Sequence, residues 1–391
     1  MSDQVLIVGA GPAGSVAATV LARAGARVRL IDRASFPRDK LCGDTVNPGT
    51  LALLRRLGMS RAVEAKGLRV DGMCLTGPNG VAVHGQYPER LHGCALERRD
   101  LDWALLEQAV AAGAHFEPAV AVRRAIVEET GPMRSVRGVV VNAHGGEREL
   151  RAPVTVAADG RRSTLAFALG LARHPPRPRR WAIGAYYENV AGVSSVGEMH
   201  VRHGRYVGIA LVPGGAVNVC LVKPFRPGDE PLGNPAALLA AELAGDPLLR
   251  PRFSGARPLT APVVLGPLAV DVSGADTPGL ILAGDAAGFI DPITGDGLRF
   301  AVQGGMLAAD AVLRALVDGW SGVHTRLAAA RRREFAAKWR FNRSVRALVA
   351  SPAAVDLATA GARFLPGALR RMIATAGDCG LVRGQAPGHG L

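Results

Sequence analysis

Val5-Leu6-Ile7-Val8-Gly9-Ala10-Gly11-Pro12-Ala13-Gly14 stands near the start of the chain, and Leu30-Ile31-Asp32 follows one helix length later. The short apolar run predicts a buried parallel strand, and the glycines fall where that strand turns into a helix. Gly9 suits the tight turn, Gly11 lets backbone amides approach a pyrophosphate, and Gly14 lets the helix pack close on the strand. A helix starting there aims unpaired N–H groups and the positive end of its dipole at the phosphates. Residues 15 to 24 continue the helix, and Arg27 to Ile31 form a second strand. Asp32 ends that strand, placed for the hydroxyls of an adenosine ribose. The order of strand, glycines, helix, strand and acid predicts a bound dinucleotide.

Composition narrows the class. At 391 residues the chain holds two or three domains with sizeable cores. Its formal charge is +14, yet only Lys40, Lys66, Lys223 and Lys338 are lysines, and the arginines are scattered apart from 177–180 and 331–333. A nucleic-acid surface calls for a basic stripe with aromatic platforms, and aromatic residues are scarce, so nucleic acid is not the expected partner. Cys42, Cys74, Cys94, Cys220 and Cys379 are odd in number and show no CxxC spacing, which fits a reducing cytoplasm rather than a disulfide or zinc framework. No stretch reaches the ~18 uninterrupted apolar residues of a membrane span.

Along the chain, Pro48 to Leu57 and Arg99 to Ala112 have helical periodicity, and β-rich pieces follow over 114–127, 134–142 and 147–157. His174 to Arg180, with its prolines, reads as a linker. Trp181 to Asn189, Tyr206 to Val212 and Ala216 to Val222 alternate as antiparallel strands do, the last two joined by a Pro213-Gly214-Gly215 turn. Leu280 to Ala283 is a further buried strand, and helices follow from Gly297 and from His324. The expected fold is α/β: a Rossmann-like nucleotide domain (1–67, 94–173 and 269–330) interrupted by an antiparallel β-rich substrate domain (68–93 and 174–268). A C-terminal helical region, 331–391, would end in a disordered tail. Plain packing, capping of a substrate cavity, and contact with a membrane surface are the readings open to that region.

Four motifs together resemble FAD-dependent oxidoreductases of the hydroxybenzoate-hydroxylase type, and among them the geranylgeranyl reductase family. They are the fingerprint above, Leu96-Glu97-Arg98-Arg99-Asp100-Leu101-Asp102, Asp159-Gly160 with Ser163, and Gly284-Asp285 followed by Asp291-Pro292 and Gly295-Asp296-Gly297. The resemblance implies FAD held by Gly9, Gly11, Ala13, Gly14, Asp32, Arg33, Arg98, Asp159, Gly160, Gly284, Asp285, Gly295, Gly297 and Leu298. Asp285 would accept hydrogen bonds from the ribityl hydroxyls, and a helix starting near Gly297 would point its positive end at the flavin pyrimidine. Phe36 to Asp44 resembles the reductase segment in which a lysine is followed two residues later by Cys-Gly. That likeness puts Cys42 and Gly43 beside flavin and substrate, with Cys42 positioning or protonating the substrate.

The sequence departs from the family in places. Ala166 stands where the motif after Asp159 carries an arginine, and Asp32 where glutamate is common. No second GxGxxG is present, so NAD(P)H would dock transiently or an electron-donor protein would serve. The strand ending at Pro213 lacks the family's tryptophan, and Ala210 to Val212 are small, which leaves room for an isoprenoid, quinone or polyketide-like substrate. The expected reaction is hydride transfer from reduced flavin to a C=C bond of an apolar molecule. Oxygen transfer through a flavin C4a-hydroperoxide is the alternative, and a redox-inactive flavin binder is a third class. No Trp-x-Trp-x-Ile-Pro is present, so halogenation is not expected. His200 and His203 form no expected metal site, and the protein is expected in the cytoplasm.

Overall fold

In the computed structural model, the described residues are 3–383 without 42, 131–132, 144, 177–179, 225–232, 275 and 365. A five-stranded parallel sheet runs in the order Leu280–Leu282, Val154–Ala157, Val5–Val8, Val28–Ile31 and His115–Glu117. Its central strand, Val5–Val8, is buried on both faces, which is why it reads as an unbroken apolar run. Val5 and Ile7 face a core built with the helices Pro12–Arg23, Arg98–Ala111 and Gly297–Asp318. Leu6 and Val8 face the opposite core, closed by the antiparallel strands Ala121–Thr130, Met133–Ala143 and Gly146–Arg151.

The Pro12 and Gly297 helices cross at unusually close range. A Cβ on Gly305 would meet the carbonyl oxygen of Ala13 at 2.5 Å, so glycine is needed there. The Gly297–Asp318 helix is long and apolar enough by composition to cross a membrane, but half of it is buried against the rest of the protein. It is a core helix.

The second large element is an eight-stranded sheet. Its order is Arg257–Pro258, Arg180–Glu188, Val217–Pro224, Arg205–Leu211, Val196–Arg202, Gly72–Thr76 and Ala82–Gln86, with Val263–Leu265 also paired to Arg180–Glu188. Gly72–Thr76 joins it by parallel pairing with Val196–Arg202, bringing the early β segment beside the later one. Arg180, read from sequence as linker, begins a strand; it pairs with Pro224. The strand Val196–Arg202 and the helix Pro235–Gly245 were not legible in the sequence.

His200 lies inside that unforeseen strand, with Nδ1 2.8 Å from Thr76 Oγ1 and Nε2 2.8 Å from Glu198 Oε2. Arg252 donates to Glu198 Oε1 at 2.7 Å. Burial pushes the Glu198 carboxyl up, but the Arg252 guanidinium and the His200 ring outweigh it and hold it down at about 2. The folded value lies below the unfolded one, so this carboxylate stabilises the fold above about pH 5 and loses that contribution as pH falls toward 2. Glu198→Gln is therefore expected to destabilise the protein by on the order of 3 kcal/mol at neutral pH. The deficit should shrink on acidification, measured by urea melts between pH 3 and 7. His203, three residues on, sits at the surface and pairs with Asp356 instead.

Candidate active site

Every motif of the fingerprint ends at the same edge. A cavity of about 980 Å³ opens past the C-terminal ends of the parallel strands and runs on to the inner face of the eight-stranded sheet. Gly9, Gly11, Ala13, Asp32, Arg33, Gly43, Arg98, Asp159, Gly160, Gly284, Asp285, Gly295, Gly297 and Leu298 all line it. Gly14 does not. It lies behind the wall, where a Cβ would overlap the carbonyl oxygen of Gly9. Cys42 lies outside the described residues, between cavity-lining Leu41 and Gly43.

The geometry around the glycine turn is fixed from several sides. Gly9 has φ +100°, and a Cβ there would meet Ala158 O at 2.5 Å, so only glycine fits. Asp32 takes the N–H of Ala10 on one oxygen (2.8 Å) and that of Ala34 on the other (2.9 Å). The carboxylate thus ties the glycine turn to the loop after the second strand. Each oxygen keeps a second acceptor site for a ligand hydroxyl.

Charge is concentrated at this end. Asp102, fully buried, is shared by Arg98 (Nε to Oδ1, 2.9 Å) and Arg38 (Nη2 to Oδ2, 3.1 Å), and both arginines line the cavity. Arg38 reaches the N-terminus of the Pro12 helix, which no side chain caps: a Cβ on Gly11 would lie 3.5 Å from its Nη2. Lys40 is exposed to the same space; desolvation by the surrounding walls and then the Arg98 charge lower its pKa, against the pull of Asp285 and Asp102. Asp159 Oδ1 and Arg161 Nε are buried without a hydrogen-bond partner, and both residues line the cavity. A cationic wall, open helix N–H groups and orphaned polar atoms are what a pyrophosphate-linked dinucleotide requires.

The other half of the cavity is apolar. Leu41, Met199, Phe289, Leu348, Met372 and Ile373 line it, the last three from the C-terminal helices Val323–Ala350 and Pro366–Ala376. Those helices cap the cavity. On the strand Arg205–Leu211, Tyr206, Gly208 and Ala210 alternate toward the space. Gly208 is not demanded by the backbone, because a Cβ there would find its nearest neighbour at 3.9 Å. Tyr206 donates its hydroxyl to Asp291 Oδ1 at 2.7 Å, and burial pushes that phenol far up, so it stays protonated.

Comparison with known proteins gives the same assignment. A family model described as an FAD binding domain matches residues 2–228. The chain belongs to that FAD-binding family. It is 32% identical over 338 residues to the menaquinone reductase of Mycobacterium tuberculosis, covering 79% of this chain and 76% of the relative. It is 29% identical over 329 residues to digeranylgeranylglycerophospholipid reductase 2 of Methanopyrus kandleri, covering 81% and 78%. In fold it is similar to a geranylgeranyl bacteriochlorophyll reductase-like protein of Thermoplasma acidophilum, with TM-score 0.79, 23% identity, and 91% and 90% of the two chains covered. The protein is an FAD-dependent oxidoreductase of the geranylgeranyl reductase type, and the residues of its cradle fit that cofactor.

Two groups in this flavoprotein escaped the sequence reading. Lys338, buried in the long C-terminal helix, lies 2.9 Å from Asp296 and 3.1 Å from Asp378, and donates to the carbonyl of Ala376 at 3.0 Å. It ties the C-terminal helices to the residue that precedes the Gly297 helix. Asp44 is the other. Its neighbours in sequence, Gly43 and Thr45, line the cavity while it is buried behind them. A lone lysine carries no motif, and the Phe36 to Asp44 segment says nothing of what its aspartate bonds to, so their partners come from the fold.

Proposed function

We propose that this flavoprotein reduces a carbon–carbon double bond in the isoprenoid chain of an apolar substrate, with NAD(P)H as electron donor. The observation that carries the reading is the continuity of the cofactor cradle with a long, apolar, helix-capped cavity. The two named relatives' substrates support it by their chemistry. A digeranylgeranylglycerophospholipid offers reducible double bonds in its chains and none in a glycerophosphate head. Menaquinone also carries an isoprenoid chain and differs in the head. The isoprenoid chain is the common reducible element.

FAD, when bound, supplies the hydride. The protein's own residues hold and shield. Gly9, Gly11 and the Pro12 helix would bind the pyrophosphate with Arg98, and Arg33 with Asp32 would flank the ribose. Ala13 and Gly284 would approach the cofactor where their helices meet, and Asp285 would hold the ribityl chain. Asp159 and Gly160 would close the near side, and Gly295, Gly297 and Leu298 would lie along the pyrimidine edge. Leu41, Met199 and Phe289 would exclude water from the reacting end. Cys42 and Gly43 would border flavin and substrate, with the Cys42 thiol giving the proton that completes the reduction. Tyr206, its proton committed to Asp291, orients rather than donates.

Room on the strand Arg205–Leu211 then sets what enters. Gly208→Phe is expected to keep FAD and melt within a few degrees of wild type, because the backbone tolerates a side chain there. Turnover of a prenylated substrate should fall by about a hundredfold, since the ring would occupy chain space over the cofactor. An unchanged kcat/KM with FAD retained would count against this placement of substrate. Cys42→Ala is a separate test, expected to lower kcat by roughly a hundredfold at unchanged FAD content.

A further inference from the structure

We propose that Asp44 is a positioning residue, holding Lys40, Leu41 and Gly43 against the cavity by bridging three parts of the fold. The inference rests on the reading of this cavity as the active site. Asp44 Oδ2 accepts hydrogen bonds from the Tyr186 hydroxyl and from Asn218 Nδ2 (2.8 Å), and Oδ1 accepts the backbone N–H of Arg98 (3.2 Å). Tyr186 and Asn218 belong to neighbouring strands of the eight-stranded sheet and pair directly with each other. Arg98 is the first residue of its helix, whose N-cap residue Glu97 provides no side-chain cap, so Asp44 caps that helix from a distant loop. One carboxyl therefore joins the cavity loop, the arginine-bearing helix and the substrate-side sheet.

The backbone agrees that this position is held. Asp44 adopts φ +50°, an uncommon conformation for a residue other than glycine. Its backbone carbonyl also accepts from Leu96 N at 3.0 Å, so the loop is tied by main chain and side chain at one point. Two residues earlier than Gly43, Leu41 presses on the same strand that carries Tyr186: a Cβ at Gly184 would overlap its side chain. The loop is thus seated on that strand at two places, with Lys40 and Gly43 presented to the cavity from between and beside them.

The Tyr186 hydroxyl, Asn218 amide and Arg98 N–H all donate to the carboxyl, and the charged groups facing it are Arg98 and Glu97 from the same helix start. Burial pushes its pKa up, while Tyr186 and Arg98 pull it back, leaving it at about 7. A value raised above that of the free carboxyl means that the seated loop favours the protonated form, so the clamp holds below neutrality and slackens as pH rises through about 7.

The test uses full-length, FAD-loaded protein with Asp44→Asn, Asp44→Glu and Tyr186→Phe. The first readout is the visible spectrum of bound FAD between pH 5.5 and 8.5. Wild type should pass one transition near neutrality, Asp44→Asn should lack it, and Asp44→Glu should retain a shifted one. The second readout is the anaerobic rate at which a short-chain menaquinone reoxidises the reduced protein. Wild type should lose about tenfold in rate from pH 6 to 8, and Asp44→Asn, which cannot ionise, should stay flat across that range. Should Asp44→Asn fail to fold or to keep FAD, Tyr186→Phe, which removes one donor from Oδ2, must move the spectral transition to higher pH. A wild-type profile in Asp44→Asn, or an unmoved transition in Tyr186→Phe, overturns the proposal. If menaquinone does not reoxidise the wild type, the substrate reading fails while the spectral titration still decides on Asp44.

Discussion

Gly14→Val is expected to yield a protein that holds no FAD and is destabilised by about 3 kcal/mol or more. The reason is steric and local. Gly14 lies on the buried face of the first helix, where even a Cβ would overlap the carbonyl oxygen of Gly9 and come within 3.4 Å of the Ala158 side chain. The helix can make room only by lifting off the strand. That movement withdraws the N–H groups of Ala13 and Gly14 from the cavity and disturbs the crossing at Gly305. Gly11→Ala is the informative contrast. Its Cβ would meet nothing nearer than Arg38 Nη2 at 3.5 Å, so the fold should survive and only FAD affinity should fall, by about tenfold. Flavin absorbance per mole of protein, with a thermal melt on each variant, separates the two cases. Full FAD occupancy in Gly14→Val would show that the helix and strand are not in this register.

Lys338→Met should be the most damaging substitution outside the cofactor cradle. The side chain fits the same buried volume, but Asp296 and Asp378 lose their shared cation. Removing one partner of a buried ionic group costs about 3–5 kcal/mol, because the remaining charges have no water to turn to. Arg299, 3.3 Å from Asp378, would compensate only one of the two. The pH dependence identifies the cause. Burial pushes the Asp296 carboxyl up to about 6 even with Lys338 in place. A folded value above the unfolded one means that protonation favours the fold, so stability is lost as pH rises toward 6 and beyond. In the variant that loss should be steeper, and the deficit against wild type should narrow below pH 6. Asp296 also precedes Gly297, so the variant should bind FAD more weakly at pH 8 than at pH 6. A deficit that does not vary with pH would mean that Lys338 acts by packing alone.

The nucleotide half of this fold was legible because its chemistry forces residue types at fixed spacing. Gly9 and Gly14 cannot carry side chains, and Val5 to Val8 must be apolar on both faces, so the pattern survives in the sequence without neighbours to interpret it. Asp32 was read as a ribose ligand, and it lines the cavity, yet the bonds it makes within the protein are to the Ala10 and Ala34 amides. Spacing located the carboxylate and gave no hint of that second task. The sheet was harder. Val196–Arg202 contains Gly197, Glu198 and His200, residues that read as polar loop until Arg252, Thr76 and the adjoining strands supply their partners. The tasks of Asp44 and Lys338 are hidden for the same reason. Each is defined by groups more than thirty residues away in sequence, and a single chain of letters does not say which distant donors meet.

Reduced protein, prepared anaerobically with NADPH and mixed with a prenylated quinone or a geranylgeranyl lipid, tests the central claim most directly. Flavin absorbance should return at a rate that depends on substrate concentration, and the recovered lipid should have gained two hydrogens in its chain. Oxidation of the flavin only on admitting oxygen, with an oxygen atom found in an added aromatic substrate, would contradict the account and establish a monooxygenase.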